Sequence, residues 1–490
     1  MIFLSMPESS RKPGRIWTKV AIVVVLLSLV VALTGWYTLF REVPQQLSAG
    51  EEVFKYGSIG TEQADGIPYW IWVALPRVFP EHLPGPGGYA SLGVAWEEGK
   101  ETPVGFSKKT IGYERIGINC ALCHTGTYRT QHDQVPHVVP TAPAQKLDPQ
   151  AYQRFLFACA DDPKYSADTL MEVINTSIKL SPCDRLLYRY VLIPATQKAL
   201  LKQRASYAWM DSRPDWLCGR IDPFNPVKFG ILKINPAEDS TIGNSDMMPL
   251  WNMAKHENFA LHWDGLNTSL TEVIQSGAIG DGATKKSLPV AGLKEMEDWL
   301  RNVKPPQYPF AGSINGDLAT DGEAIFNDRC AQCHAFGGKR TGTVIPISEV
   351  GTDSHRLEMW TEQAAVNYGN FANGYPWDFK EFRKTDGYVA VALDGLWLRA
   401  PYLHNGSVPT VEDLLKPASE RPKTFYRGYD VYSPGEMGFI HKEGTKAEEY
   451  GVKYDTSVPG NGNQGHDGEI YGTDLTSEEK AALIEYLKKL

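Results

Sequence analysis

The sequence lacks an excess of positive charge. Its 49 Lys and Arg face 58 Asp and Glu, a formal net charge of −9. That balance argues against a nucleic-acid partner and fits a soluble surface compatible with a basic electron-carrier protein. Cysteine is scarce, with seven in 490 residues, and four of the seven fall in two short motifs. Cys159, Cys183 and Cys218 remain, enough for one disulfide in an oxidising compartment. Cys159 with Cys183 is the expected pair, because they flank one segment expected to be helical, and Cys218 is then free. Internal identity is also lacking beyond the two motifs.

Those motifs are Cys120-Ala-Leu-Cys123-His124 and Cys330-Ala-Gln-Cys333-His334. Both are C-x-x-C-H, the attachment sequence for c-type haem. The two cysteines form thioethers with the haem vinyl groups, and the adjacent histidine reaches the iron as proximal ligand. A zinc knuckle would need four ligands, and a redox C-x-x-C does not require the histidine. Two copies about two hundred residues apart predict two covalently bound haem c groups, one per domain. The 13 Trp and 23 Tyr suit a chain that wraps two large apolar macrocycles.

Near the N-terminus, Arg11, Lys12, Arg15 and Lys19 precede an uncharged apolar run from Val20 to Phe40. The run is long enough to span a bilayer, and the basic cluster before it places the N-terminus in the cytoplasm. A cleaved signal peptide would have a shorter core ending at a small-x-small site. The expectation is an uncleaved single-pass anchor in the inner membrane, Trp17, Trp36 and Tyr37 at its interfaces, and the rest of the chain in the periplasm. The fold class expected is mainly α, with two cytochrome c-type haem domains carrying long irregular insertions. Residues 1–45 form the basic stub and anchor, 46–310 an N-terminal haem domain holding the candidate active site, and 311–490 a C-terminal cytochrome c domain for electron transfer. Residues 41–110, rich in Pro and Gly, are expected to be irregular. Residues 150–210 are expected to be helical, with apolar stripes at Tyr152-Phe155-Leu156 and Leu186-Leu187-Tyr190-Val191. Pro305-Pro306-Gln307-Tyr308-Pro309 is the linker candidate. After it, Asp317 to Cys330 should be a helix leading into the second motif, and Thr476-Ser-Glu-Glu479 a capping box opening a last helix.

Three histidines outside the motifs stand in distinctive contexts. His404 lies between Pro and Gly in Arg399-Ala-Pro-Tyr-Leu-His404-Asn-Gly-Ser, His466 ends the glycine-rich loop Gly460-Asn-Gly-Asn-Gln-Gly-His466, and His262 opens His262-Trp263-Asp264-Gly265. The stretch Leu393 to Thr410 resembles the signature of the bacterial di-haem cytochrome c peroxidase superfamily. That superfamily includes methylamine-utilisation di-haem enzymes and latex-cleaving rubber oxygenases. The segments around Cys120, Gly219-Arg-Ile-Asp-Pro-Phe-Asn225, Pro249-Leu-Trp-Asn252 and the His466 loop are most similar to the rubber-oxygenase-like branch. The resemblance implies that Trp263 lies between two haems and relays electrons.

The departures bear on mechanism. Peroxidases of the superfamily hold a distal Glu about twenty residues after Trp-Asp-Gly, where this chain offers only Asp281, in a glycine-rich turn. Rubber oxygenases carry an aromatic residue there, where this chain has Ala278 and Ile279, which argues against polyisoprene cleavage. A Met ligand about fourteen residues after the signature histidine is replaced by Ala418. His466 is therefore the expected second axial ligand of the C-terminal haem, with His404 closer to the propionates. The family's calcium site uses a Thr where this chain has Arg399, which argues against calcium. The expected function is an oxidoreductase that activates dioxygen or peroxide at the N-terminal haem and exchanges electrons through the C-terminal one, with Trp263, Asp281 and His137 as candidate catalytic residues, and His132 a further one. The alternative is a pure electron-transfer cytochrome. Electron partners could be a small cytochrome, a cupredoxin or a quinol-linked protein, and a homodimer is compatible with the resemblance.

Overall fold

The computed structural model describes residues 14–64, 66–375 and 377–490. Arg11 and Lys12 lie outside the described residues. The apolar run folds as helix α1, Gly14–Phe40, uninterrupted by proline. Its 21-residue segment Trp17–Tyr37 contains a window of mean hydropathy 2.5, none of it buried against the chain. Its length and composition suit either a signal anchor or a membrane span.

Directly after α1, strand β1 (Glu42–Val43) joins a small antiparallel sheet of β2 (Ile67–Pro68), β3 (Phe106–Ile111) and β4 (Tyr113–Ile118). The strand order is β1-β3-β4-β2, with Phe106 opposite Ile118 and Ile67 opposite Ile116. Helix α2, Tyr69–Val78, follows β2 directly. Residues 41–110 are thus more regular than their Pro and Gly content predicts. The aromatic cluster explains the difference. Trp72 is buried, stacks on Tyr89 with ring centroids 4.2 Å apart and donates its Nε1–H to Tyr152 Oη at 3.1 Å. Burying that much aromatic surface outweighs the cost of ordering the backbone.

The helical region consists of α3 (Pro149–Asp161), α4 (Ala167–Ser177), α5 (Pro182–Leu187) and α6 (Ile193–Ser206). The side chains of Asp148, Ser166 and Ser181 cap α3, α4 and α5 by accepting from the amides of Ala151, Thr169 and Asp184. Tyr152, Phe155 and Leu156 face the core as their spacing predicts. The second expected stripe does not. A π-turn over Tyr188–Leu192 joins α5 to α6 and rotates the helix face, burying Tyr188, Leu192 and Ile193. Leu186, Tyr190 and Val191 are left outside, 59%, 68% and 49% exposed. The expected Cys159–Cys183 disulfide is absent as well. Cys159 is sealed inside α3 while Cys183 is exposed on α5, and no disulfide joins any of the seven cysteines.

Helices α7 (Leu270–Gly280) and α8 (Val290–Leu300) precede the proline-rich segment. That segment is not helical, but it is held down. Trp397 Nε1 donates to Pro306 O at 3.0 Å, and Tyr308 is buried beside Trp397 and Tyr432. Helix α9, Gly316–Arg329, runs into Cys330, and α10, Ser477–Leu487, opens with the capping box of Thr476 and Glu479. The two helices cross so closely that a Cβ on Gly322 would lie 2.0 Å from Ala482 O. Helices carry most of the regular structure, the strands being short. Three large apolar cores result. One surrounds α2–α4 and takes in Leu122 and Cys123; one holds Ala121, Phe224, α7 and α8, with Cys120 against it; one holds Trp397 and α10, with Cys330 against it.

Candidate functional site: one cavity joining two C-x-x-C-H motifs

The two motifs reach the same local geometry by different means. At the first, Asn119 accepts from Ala121 N at 3.0 Å and donates its side-chain amide to Gly57 O at 2.9 Å, fixing the turn Cys120–Leu122. At the second, α9 delivers the chain, and the short helix Ala331–His334 carries the histidine. His124 N and His334 N then bond Cys120 O and Cys330 O at 3.1 and 2.9 Å. The rings are oriented alike. His124 Nδ1 lies 2.7 Å from Met248 O, and His334 Nδ1 lies 2.7 Å from Val391 O. A carbonyl only accepts, so each Nδ1 carries the proton and each Nε2 keeps its lone pair, the state a metal ligand requires. Burial supports that state by pushing the His124 imidazole down to about 4 and lowering His334 in the same direction.

Cys120, Cys123, His124, Cys330 and His334 line one continuous, mainly apolar cavity of about 610 Å³. Cys333 stands outside the lining, half-buried. His262, Trp263, Asp281, His404 and His466 line the same space. His466 faces His334, with ring centroids 6.2 Å apart. A metal–imidazole bond of roughly 2 Å on each side, plus about 1.1 Å from nitrogen to ring centre, gives the same spacing. Four features hold His466 there. Its amide bonds Val350 O at 2.8 Å, and its own backbone is left-handed at φ 47°. Gly465 packs on residues 351–352 so tightly that a Cβ would lie 2.3 Å from Thr352 N. The buried Arg421 guanidinium donates to Asn463 O, Gly465 O and His466 O at 2.7, 2.7 and 2.9 Å. Sequence reasoning missed Arg421, because nothing local to it signals the loop it gathers.

His404 stacks on Tyr388 at 4.0 Å between ring centroids, and its carbonyl accepts from Asp246 N at 2.9 Å. Trp263 Nε1 donates to the carbonyl of the same Asp246 at 2.7 Å. The Trp263 carbonyl accepts from Val389 N at 2.8 Å, two residues before the Val391 carbonyl that orients His334. Its neighbour Asp264 forms a buried bidentate pair with Arg356 at 2.9 and 3.2 Å. The turn bearing Trp263 is therefore fixed relative to the second motif.

Asp281 caps the C-terminus of α7 and lines the cavity near the first motif. Burial raises its carboxyl to about 7, and its charge in turn raises the Cys120 thiol, which burial pushes up to about 12. His262 is a second polar group in this region. Its ring meets Phe224 edge-on at 5.4 Å, and Phe224 shares a core with Ala121, Ala278 and Ile279. His262 is left-handed at φ 63°, uncommon for a non-glycine residue, and burial lowers its imidazole to about 3. His137 lies elsewhere, exposed on the strand His137–Pro140 and stacked on Tyr128 at 4.8 Å. His132 bonds Tyr429 Oη through Nδ1 at 2.8 Å, also off the cavity lining.

A c-type haem is apolar across its face and anionic at its propionates. The cavity matches both properties. Its walls are mainly apolar, yet His262 Nε2, His404 Nε2, Arg356 Nε, Arg399 Nε and Thr352 Oγ1 are buried there without a hydrogen-bond partner. Buried polar atoms are costly unpaired, and anionic groups would satisfy the guanidinium donors. Arg399 also donates to Ala392 O at 2.8 Å and to the Asp394 carboxylate at 2.7 Å, giving these oxygens a cationic partner.

Comparison with known proteins places a family match in the C-terminal part of the chain. Residues 387–426 match the family described as RoxA-like, cytochrome c-like. This stretch carries Val391, Arg399 and His404. It marks a rubber-oxygenase-like cytochrome c region, which implies covalently bound haem c. Two proteins of Sinorhizobium fredii (strain NBRC 101917 / NGR234) are similar. Uncharacterized protein y4iJ is 32% identical over 257 residues, 40% of this chain and 42% of that protein. Uncharacterized protein y4iM is 31% identical over 287 residues, 50% of this chain and 64% of that protein. The chain thus spans less than two thirds of each relative.

Proposed function

We propose that the protein is a membrane-anchored di-haem oxidoreductase, with residues 46–310 providing a reactive haem site and residues 311–490 an electron-transfer haem site. The observation that carries this reading is the single cavity lined by both C-x-x-C-H histidines together with Trp263. Cys120, Cys123 and His124 would hold the first haem; Cys330, Cys333, His334 and His466 would hold the second. Once bound, haem supplies an iron that can take dioxygen or peroxide at one site and store a single electron at the other. The remaining work falls to side chains. Asp281, with a carboxyl near 7, can hold or release a proton beside the first site at neutral pH. Trp263 provides the aromatic bridge between the sites, and Arg356 and Arg399 balance anionic charge. Helix α1 would hold the assembly at the inner membrane with the haem sites in the periplasm.

His262 supports a second reading. If its unpartnered imidazole ligated the first iron, both sites would be six-coordinate and the protein would be an electron carrier. The two readings separate in the electron paramagnetic resonance and optical spectra of the full-length holoprotein, taken before and after hydrogen peroxide and dioxygen. A high-spin signal that changes on adding oxidant, and carbon monoxide binding after reduction, are expected for the oxidoreductase. Two low-spin signals, inert to oxidant and carbon monoxide, would refute it.

A further inference from the structure

The π-turn over Tyr188–Leu192 leaves an apolar face exposed. Leu186, Tyr190 and Val191 are exposed within six residues, beside Tyr188, Leu192 and Ile193, which are buried. An apolar group of this kind on a soluble surface calls for a partner. On the same stretch of chain, Lys179, Arg185, Lys198 and Lys202 are exposed and have no side-chain partner among the described residues. Four unpaired cations on one segment stand out in a chain of net charge −9. Tyrosine and aliphatic side chains on a segment rich in exposed Lys and Arg match an interface of apolar lipid beneath anionic headgroups.

The position of this face identifies the occupant. The end of α1 is tied to the body by Gly112 N donating to Arg41 O at 2.6 Å and by β1 pairing with β3. Tyr113, the next residue after Gly112, packs on the same core as Tyr188 and lies close enough to it, with Glu114, to act on its phenol electrostatically. The π-turn therefore adjoins the point where the apolar helix leaves the body. Val43, just past α1, is also exposed.

We propose that Leu186, Tyr190 and Val191, with Lys179, Arg185, Lys198 and Lys202, dock on the anionic surface of the bilayer that α1 enters. This rests on the reading of α1 as a membrane span. The contact would fix the body's orientation on the membrane rather than leave it swinging on one helix.

Native Cys183 provides the probe, since it is exposed on α5 while Cys159 and Cys218 are buried and the other four cysteines belong to the haem motifs. The full-length holoprotein, labelled at Cys183 with a polarity-sensitive maleimide, is reconstituted into phosphatidylcholine vesicles with and without phosphatidylglycerol. Lipids bearing a nitroxide near the headgroup serve as quencher for the surface labels, and lipids bearing one near the end of the acyl chain for the label at the middle of α1. Two reference labels, Leu27→Cys in α1 and Ile470→Cys on the exposed C-terminal surface, are placed in a Cys183→Ser background. The expected result is a blue shift and quenching at Cys183, strengthened by phosphatidylglycerol and lost in an Arg185→Glu, Lys198→Glu, Lys202→Glu variant, with Ile470→Cys unquenched. Quenching at Leu27→Cys without quenching at Cys183 would overturn the docking face and leave the span intact, pointing to a protein partner instead. Equal quenching at Ile470→Cys would also overturn it. No quenching at Leu27→Cys would remove the span and the docking face together.

Discussion

At the scale of single residues, the site depends on which ring nitrogen is free. His334 and His466 face each other across a gap suited to one metal ion, and His466 is held there by backbone bonds and Arg421 rather than by its own side chain. Replacing His466 with Gly should leave the loop in place, because Arg421 grips carbonyls that glycine retains. The expected outcome is loss of one low-spin signal and a new high-spin signal, with haem content unchanged. Survival of the low-spin signal would reject His466 as ligand. Asp281 makes a different prediction. Its carboxyl is raised in the fold to about 7, so its contribution to stability is full below about pH 4 and is lost as pH rises through about 7. Asp281→Asn removes that loss. Thermal melts of the holoprotein should coincide with wild type near pH 4 and favour the variant at pH 8 by about 2 kcal/mol, less than the full linkage because the group also faces the cavity. Parallel melts at every pH would mean the carboxyl is not shifted.

At the scale of elements, what the sequence makes legible is what depends on short range. The C-x-x-C-H turns, the capping box at Thr476 and the helix into Cys330 all follow from spacing within a few residues. Helix α1 follows from an unbroken apolar run. The π-turn at Tyr188–Leu192 is not legible, because one added residue rotates which side chains face the core without altering the apolar count. His262 was visible in its tetrapeptide, but only its burial without a partner sets it apart from an ordinary core histidine. His137, a candidate for proton handling on the sequence alone, sits exposed on its strand. The α9–α10 crossing is another long-range feature, since Gly322 is just one of the chain's 45 glycines until Ala482 is placed against it. Gly322→Val should push the helices apart and destabilise the holoprotein by about 3 kcal/mol. Thermal denaturation followed in the C-terminal haem band would read this. An unchanged midpoint would show that the crossing yields easily.

At the scale of the whole molecule, two attachment motifs about two hundred residues apart open into one cavity. Separate carrier domains would not need a shared interior, so under the proposed di-haem reading the arrangement bears on transfer between the sites. Trp263 is the residue on which that transfer is best tested. Its indole is fixed by the bond to Asp246 O, and its carbonyl is tied to Val389, close to the residue that orients His334. Trp263→Phe keeps an aromatic ring but loses the indole and its donor, at a stability cost of about 1 kcal/mol. Haem content and the static spectra of both sites should stay unchanged. Electron equilibration between the sites after rapid partial reduction should slow by about tenfold, equivalent to about 1.4 kcal/mol of barrier. If the rate holds while the spectra hold, Trp263 is only part of the wall. If the spectra shift along with the rate, the residue positions the sites instead of coupling them. A slower rate with intact spectra assigns the coupling to the indole itself.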